Sequence, residues 1–94
     1  MTEIVPLETL RVEIDAIDQE IVRLFEARME VAGKIADAKR EINKPIYDES
    51  RENIVLDKNA DRLAHQEWRE ELQAVYRELM KQSREIQKRR MAES

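Results

Sequence analysis

Apolar residues return at alternating spacings of three and four from Leu7 to Ile42. That rhythm constrains the fold more than any other feature of the chain. Leu7, Ile14, Ile21, Arg28, Ile35 and Ile42 fill one heptad position, and Leu10, Ile17, Leu24, Val31 and Ala38 the other. Ten of the eleven are apolar, which specifies one continuous helix with a seam made to meet another helix. Pro6 suits its first turn, where a missing N–H goes unnoticed, and "NKP" at 43–45 supplies the stop. A helix over about 6–42 is roughly 50 Å long, against a radius of gyration near 13 Å for a compact domain of about this size. Such a rod cannot be buried by its own chain, so a second copy is expected.

Two further helices are predicted. One begins in "YDESRE" with Asp48 as N-cap, its carboxylate accepting from first-turn amides, and runs over about 48–62 through Ile54 and Val55, with Leu63 just beyond. The other covers about 66–90, with Trp68, Leu72, Val75, Leu79 and Ile86 on its apolar face. Beside that face runs a mixed stripe of Tyr76, Met80, Ser83 and Gln87, spaced four, three and four. The boundary falls in "ADRLAHQEW", which holds neither glycine nor proline. With one glycine, two prolines and 4% aromatics, strands are not expected. The chain reads as one all-α domain over 1–94: long helix, short helix, medium helix.

Several function classes recede on composition. A net charge of −4 argues against a nucleic-acid partner, and the run "KRR" at 88–90 complements a helix C-terminus. There is no cysteine for a disulfide or thiolate metal site, and His65 has no partner at metal-ligand spacing. The N-terminal "MTEIVPLE" lacks a basic region followed by an apolar run, and no stretch approaches the roughly 20 apolar residues of a membrane span. A soluble cytoplasmic protein without a cofactor is expected.

Arg28 is the one charge on the heptad seam. Lys39 follows eleven residues later, about three turns plus about 20° and about 16 Å along the helix, so both project from nearly one side. Two long cations at that separation leave room for a small anion between their heads. Ser83 and Gln87, one turn apart, offer neutral hydrogen-bonding groups, and Asp48, Arg51 and Glu52 cluster at the start of the second helix. Each has a plain alternative: Arg28 snorkelling, Lys39 solvated, Asp48 only capping, Arg51 and Glu52 ordinary surface charges.

In order along the chain, Arg11 in "LRVEID", Arg28 in "EARMEVAGKI", Lys39 in "DAKRE", the segment "PIYDESRE", and Ser83 and Gln87 in "KQSREIQ" closely resemble the all-helical chorismate mutases. The resemblance covers nearly the whole chain and is weakest over 57–75, where a glycine-containing turn is usual and absent here. It implies an isomerase that rearranges chorismate to prephenate in phenylalanine and tyrosine biosynthesis, built as an intertwined antiparallel homodimer with two active sites, each drawing on both chains. By that likeness Arg11 of one chain and Arg28 of the other bind the substrate carboxylates. Lys39 and Gln87 hydrogen-bond the ether oxygen, Lys39 also touching a carboxylate. Ser83 assists at a carboxylate, Asp48 and Glu52 approach the ring hydroxyl, and Arg51 supports the charged wall.

Helix geometry bears on the shared site. Arg11 and Arg28 are 17 residues apart, about 25 Å along one helix, too far to grip one small dianion together. In an antiparallel pair crossing between about residues 20 and 25, near the middle of the predicted helix, Arg11 of one chain faces residues 28–39 of the other. The implied reaction is pericyclic and calls for neither nucleophile nor proton shuttle, which suits a chain without cysteine or a metal motif. A related helical lyase that eliminates pyruvate from isochorismate and a non-catalytic dimerisation module are the competing readings. Asp48 and Glu52 favour the mutase.

Overall fold

In the computed structural model, residues 4–93 are described. Residues 1–3, part of the N-terminal stretch read above for a leader, and Ser94 lie outside the described residues. The described residues form helices and no strand: α1 is Leu7–Glu41, α2 Glu49–Asp61, and α3 Arg69–Ala92, the last preceded by a single 3-10 turn at Gln66–Trp68. The chain divides into two compact units, Met1–Glu30 and Val31–Ser94.

The first unit is the N-terminal part of α1. The helix starts one residue after Pro6, whose carbonyl accepts from the amides of Thr9 and Leu10 at 3.0 and 3.2 Å. Leu7, Leu10, Ile14, Ile17, Ile21 and Leu24 are each 45–60% exposed. They form a continuous row of large aliphatics left open to water.

The second unit holds the end of α1, α2 and α3. Its core is built from small side chains: Ala32, Ala36 and Ala60 are buried together with Met80. Gly33 is buried beside them, where a Cβ would meet only the Arg90 guanidinium, at 3.9 Å. Polar bonds tie α3 to α1 across this surface. Gln87 Nε2 donates to the Ala32 carbonyl at 3.2 Å, Arg90 donates to both oxygens of Asp37 at 3.1 and 2.8 Å, and Arg40 donates to the Arg90 carbonyl at 3.2 Å.

The end of α1 is a Schellman motif. The Lys44 amide bonds the Lys39 carbonyl at 2.8 Å and the Asn43 amide the Arg40 carbonyl at 3.1 Å, with Asn43 left-handed at φ 57. The stop is therefore made by Asn43, and Pro45 only prevents resumption. At the other end of the connection Asp48 caps α2, its Oδ1 accepting from the Arg51 amide at 3.0 Å. The α2–α3 junction is closed by a side chain: Gln66 Nε2 donates to the carbonyls of Ala60 and Leu63, both at 2.9 Å. A glutamine amide serving the last carbonyls of a helix leaves no glycine or proline signature, hence the unmarked boundary.

The face assigned to the third helix is corrected in part. Trp68 lies in the 3-10 turn, 55% exposed, its ring against His65 with centroids 4.5 Å apart. Val75 is also more than half exposed, while Leu72, Leu79 and Ile86 are half-buried. The deepest residues of α3 are Met80, Ser83 and Gln87 of the mixed stripe. The opposing surface explains this: Ala32, Gly33 and Ala36 present little side chain, and Gln87 adds to the Ala32 carbonyl a second bond, beyond its helical one, that a leucine could not make.

Candidate active site

Six of the eight predicted residues, Lys39, Asp48, Arg51, Glu52, Ser83 and Gln87, lie in the second unit. Lys39 is in the last turn of α1, half-buried. Its carbonyl is held by the Lys44 amide, and its Nζ donates to the Ile46 carbonyl at 2.6 Å. The connection between α1 and α2 is thereby fastened to Lys39 at both backbone and side chain, and Ile46 is two residues from Asp48. An ammonium carries three hydrogens, so the bond to Ile46 aims the group while leaving donors to spare.

Gln87 repeats the device on α3. It is 6% exposed, and the Ala32 carbonyl fixes which end of the amide faces it: an acceptor at that place selects the nitrogen. One N–H is committed, and the second is a positioned donor. Ser83, one turn earlier and 9% exposed, turns its hydroxyl onto the Leu79 carbonyl at 2.9 Å. To donate to a ligand carboxylate that hydroxyl must rotate away from its own helix.

The first turn of α2 gathers Asp48, Arg51 and Glu52. Asp48 caps, as above, and its carbonyl accepts from the Glu52 amide at 3.0 Å; Arg51 is exposed. Glu52 is half-buried and ion-paired with Arg84 of α3, whose guanidinium stands 5.1 Å from the centre of the Tyr47 ring. Sequence reading missed Arg84. Its partner is 32 residues away, and only its place beside Ser83, three residues before Gln87, could have drawn notice.

Arg11 and Arg28 belong to the first unit and do not converge within one chain. Arg11 is exposed and paired with Glu8 at 2.8 Å, and Arg28 is half-buried. An open depression of about 540 Å³ lies elsewhere, lined by Asp37, Ala38, Arg40, Glu41, Arg90 and Glu93, and contains none of the predicted residues. Two of its charges, Asp37 and Arg90, are paired with each other. The hydrogen bonds from Arg90 hold the Asp37 carboxyl below its ordinary 3.8, and the same bonds raise Arg90. Among the described residues no group of three or more His, Cys, Asp or Glu is placed to hold a metal, and no helix is long and apolar enough to cross a membrane.

Two donors aimed by backbone carbonyls, Lys39 and Gln87, in the unit that also holds Asp48 and Glu52, suit a site that binds and polarises. Residues 10–88 match the family model for chorismate mutase type II. The chain belongs to that family. It is similar to the crystal structure of chorismate mutase from Helicobacter pylori in complex with prephenate, with a TM-score of 0.84 and 40% identity over 94% of this chain and 96% of that one. It is 42% identical over 52 residues to the bifunctional chorismate mutase/prephenate dehydratase of Aquifex aeolicus, a match covering 55% of this chain and 14% of the relative. It is 38% identical over 50 residues to the T-protein of Haemophilus influenzae, covering 53% of this chain and 13% of that protein. The match thus spans about a seventh of these two curated relatives, whereas the Helicobacter chorismate mutase is covered almost end to end.

Proposed function

We propose that this chain converts chorismate to prephenate, as a homodimer with two sites that each take residues from both chains. The observation that carries the reading is the pair of anchored donors: Lys39 held by the Ile46 carbonyl and Gln87 by the Ala32 carbonyl, each with hydrogens uncommitted by that bond. In the rearrangement one C–O bond breaks while a C–C bond forms, and negative charge grows on the ether oxygen. Donors fixed beforehand favour that charge without reorganising, so they lower the transition state more than the ground state. Arg11 of one chain and Arg28 of the other clamp the carboxylates and hold the enolpyruvyl group over the ring, and Lys39 and Ser83 add to the carboxylate contacts. Asp48 and Glu52 receive the ring hydroxyl, and Arg51 lines the wall.

Dimerisation is supported by the open aliphatic row of α1 and by the 17-residue gap between Arg11 and Arg28, about 25 Å on one helix. On this reading the protein acts in the cytoplasm, on the route to phenylalanine and tyrosine, with no cofactor.

The test is direct. Purified chain incubated with chorismate should consume it, with prephenate identified as product; pyruvate released from isochorismate would indicate the lyase, and inertness toward both a scaffold. Mixing Arg11→Ala with Lys39→Ala chains, each nearly inactive alone, should restore one intact site per heterodimer, about a quarter of the parental activity after random exchange. No recovery after verified exchange rules out shared sites.

A further inference from the structure

Three elements meet at Arg84. It projects from α3, pairs through Nη1 with Oε2 of Glu52 on α2, and lies over the ring of Tyr47 in the connecting segment, 5.1 Å from its centre. Both charged side chains are about three-quarters buried, at 25% and 23% exposure. Arg84 adjoins Ser83 and is a helical i,i+3 neighbour of Gln87, so it flanks the face on which the anchored donor sits.

We propose that Arg84 is a positioning residue: it sets the Glu52 carboxylate toward the ring hydroxyl of the substrate and so makes the site selective for a hydroxyl-bearing dianion. This rests on the function proposed above. A glutamate reaches its target through three rotatable bonds, and nothing in α2 alone fixes where its carboxylate points. The bond from Arg84 Nη1 to Oε2 restricts that freedom, and the aromatic ring beside the guanidinium steadies Arg84 in turn. Glu52 spends Oε2 on this pair, which leaves Oε1 as the acceptor for a hydroxyl. Its backbone is held as well, by the Asp48 carbonyl.

Stability alone is a poor reason for such a pair. Partly buried charges lose hydration, and apolar residues of similar volume would pack there without that cost. The pair has a second effect. Neutralised by Glu52, Arg84 does not compete with the carboxylate clamps for the dianion, so one cation near the site is withheld from the wrong end of the ligand.

The experiment is a double-mutant cycle on chorismate turnover with Arg84→Met, Arg84→Lys, Glu52→Gln and the Arg84→Met/Glu52→Gln combination, each checked for an unchanged melting profile. A hydroxyl contact made in both ground and transition states acts on KM. Arg84→Met is expected to raise KM about tenfold, the worth of a hydrogen bond to a charged group, with kcat little altered. The combination should be no worse than Glu52→Gln alone, and Arg84→Lys should recover part of the loss. Titrations of prephenate and of a cyclic dianion lacking the ring hydroxyl should show the Arg84→Met penalty only for prephenate. Additive losses, or equal loss for both ligands, on an active parent overturn the role of Arg84 while the function stands. A parent without turnover overturns both. If Arg84→Met fails to fold, Arg84→Lys and the two-ligand comparison decide.

Discussion

Replacing Gln87 by glutamate tests the catalytic reading most sharply, because the change keeps the shape while removing the donor hydrogens and, at neutral pH, adding a negative charge. The amide nitrogen has two hydrogens, one committed to the Ala32 carbonyl at 3.2 Å. A carboxylate has none, so at neutral pH both bonds are lost and an anion faces a carbonyl oxygen in a site where the parent residue is only 6% exposed. Loss of one fixed donor to a developing oxyanion costs about 3–4 kcal/mol, about two to three powers of ten in kcat at neutral pH.

Acid should return part of this. Above the titration of the new carboxyl, the protonated fraction rises about tenfold for each unit of falling pH, so log kcat/KM should climb with unit slope and then level. The plateau should stay below the parent, because a carboxylic acid has a single O–H and cannot serve Ala32 and the ether oxygen together. The parent amide donates at any pH and should show no such climb. The assay is chorismate disappearance from about pH 4 to 8 for both chains, with circular dichroism confirming the fold at each point. A Gln87→Glu chain as active as the parent at neutral pH, or one equally impaired at all pH values, refutes the role given to Gln87.

Three stability predictions follow from the second unit. Gly33→Ala should raise the denaturation midpoint by about 0.5–1 kcal/mol equivalent, since alanine is the better helix residue and its Cβ meets nothing nearer than Arg90 at 3.9 Å; a loss in urea denaturation contradicts the packing. At Asn43, φ 57, Asn43→Ala should cost about 1 kcal/mol and Asn43→Gly nothing, read in the same melts. The Arg90 hydrogen bonds depress Asp37 below 3.8, so their stabilisation is complete above that pH and disappears as pH falls through the lower folded value. Asp37→Asn should therefore be less stable than the parent at neutral pH, with the gap closing in strong acid; a gap independent of pH refutes the pair.

The parts of the fold set by local chemistry could be read from residues: the α1 seam, the stop at "NKP", the Asp48 cap. What failed was the assignment of faces on α3. A helical wheel ranks residues by hydrophobicity and so favours Trp68 and Val75, but depth in α3 is decided by what lies opposite. There, Ala32, Gly33 and Ala36 present little side chain, and the Ala32 carbonyl, already bonded within α1, has a second lone pair that the Gln87 amide uses. The α2–α3 boundary was hidden for a similar reason, because Gln66 closes α2 with its side chain and glutamine carries no turn signature. Arg84 is the same lesson at the site: an ion pair across 32 residues is a property of the packed chain, which no local pattern encodes.

Where the chain puts its apolar and polar groups bears on function. The large aliphatics of α1 stay open to water, while the interior of the second unit is made of alanine, glycine, one methionine and polar groups with bonds to make. A chain selected for stability as a lone protomer would do the reverse. Under the dimer proposed above, the partner would supply the apolar core, and the donors aimed by backbone carbonyls would be kept for a ligand. Conversion of the row to charge, as in Ile17→Lys with Leu24→Lys, should then abolish turnover while α2 and α3 retain their helicity by circular dichroism. Turnover at parental kcat by a chain so altered and monomeric by sedimentation would break the link between the seam and the site.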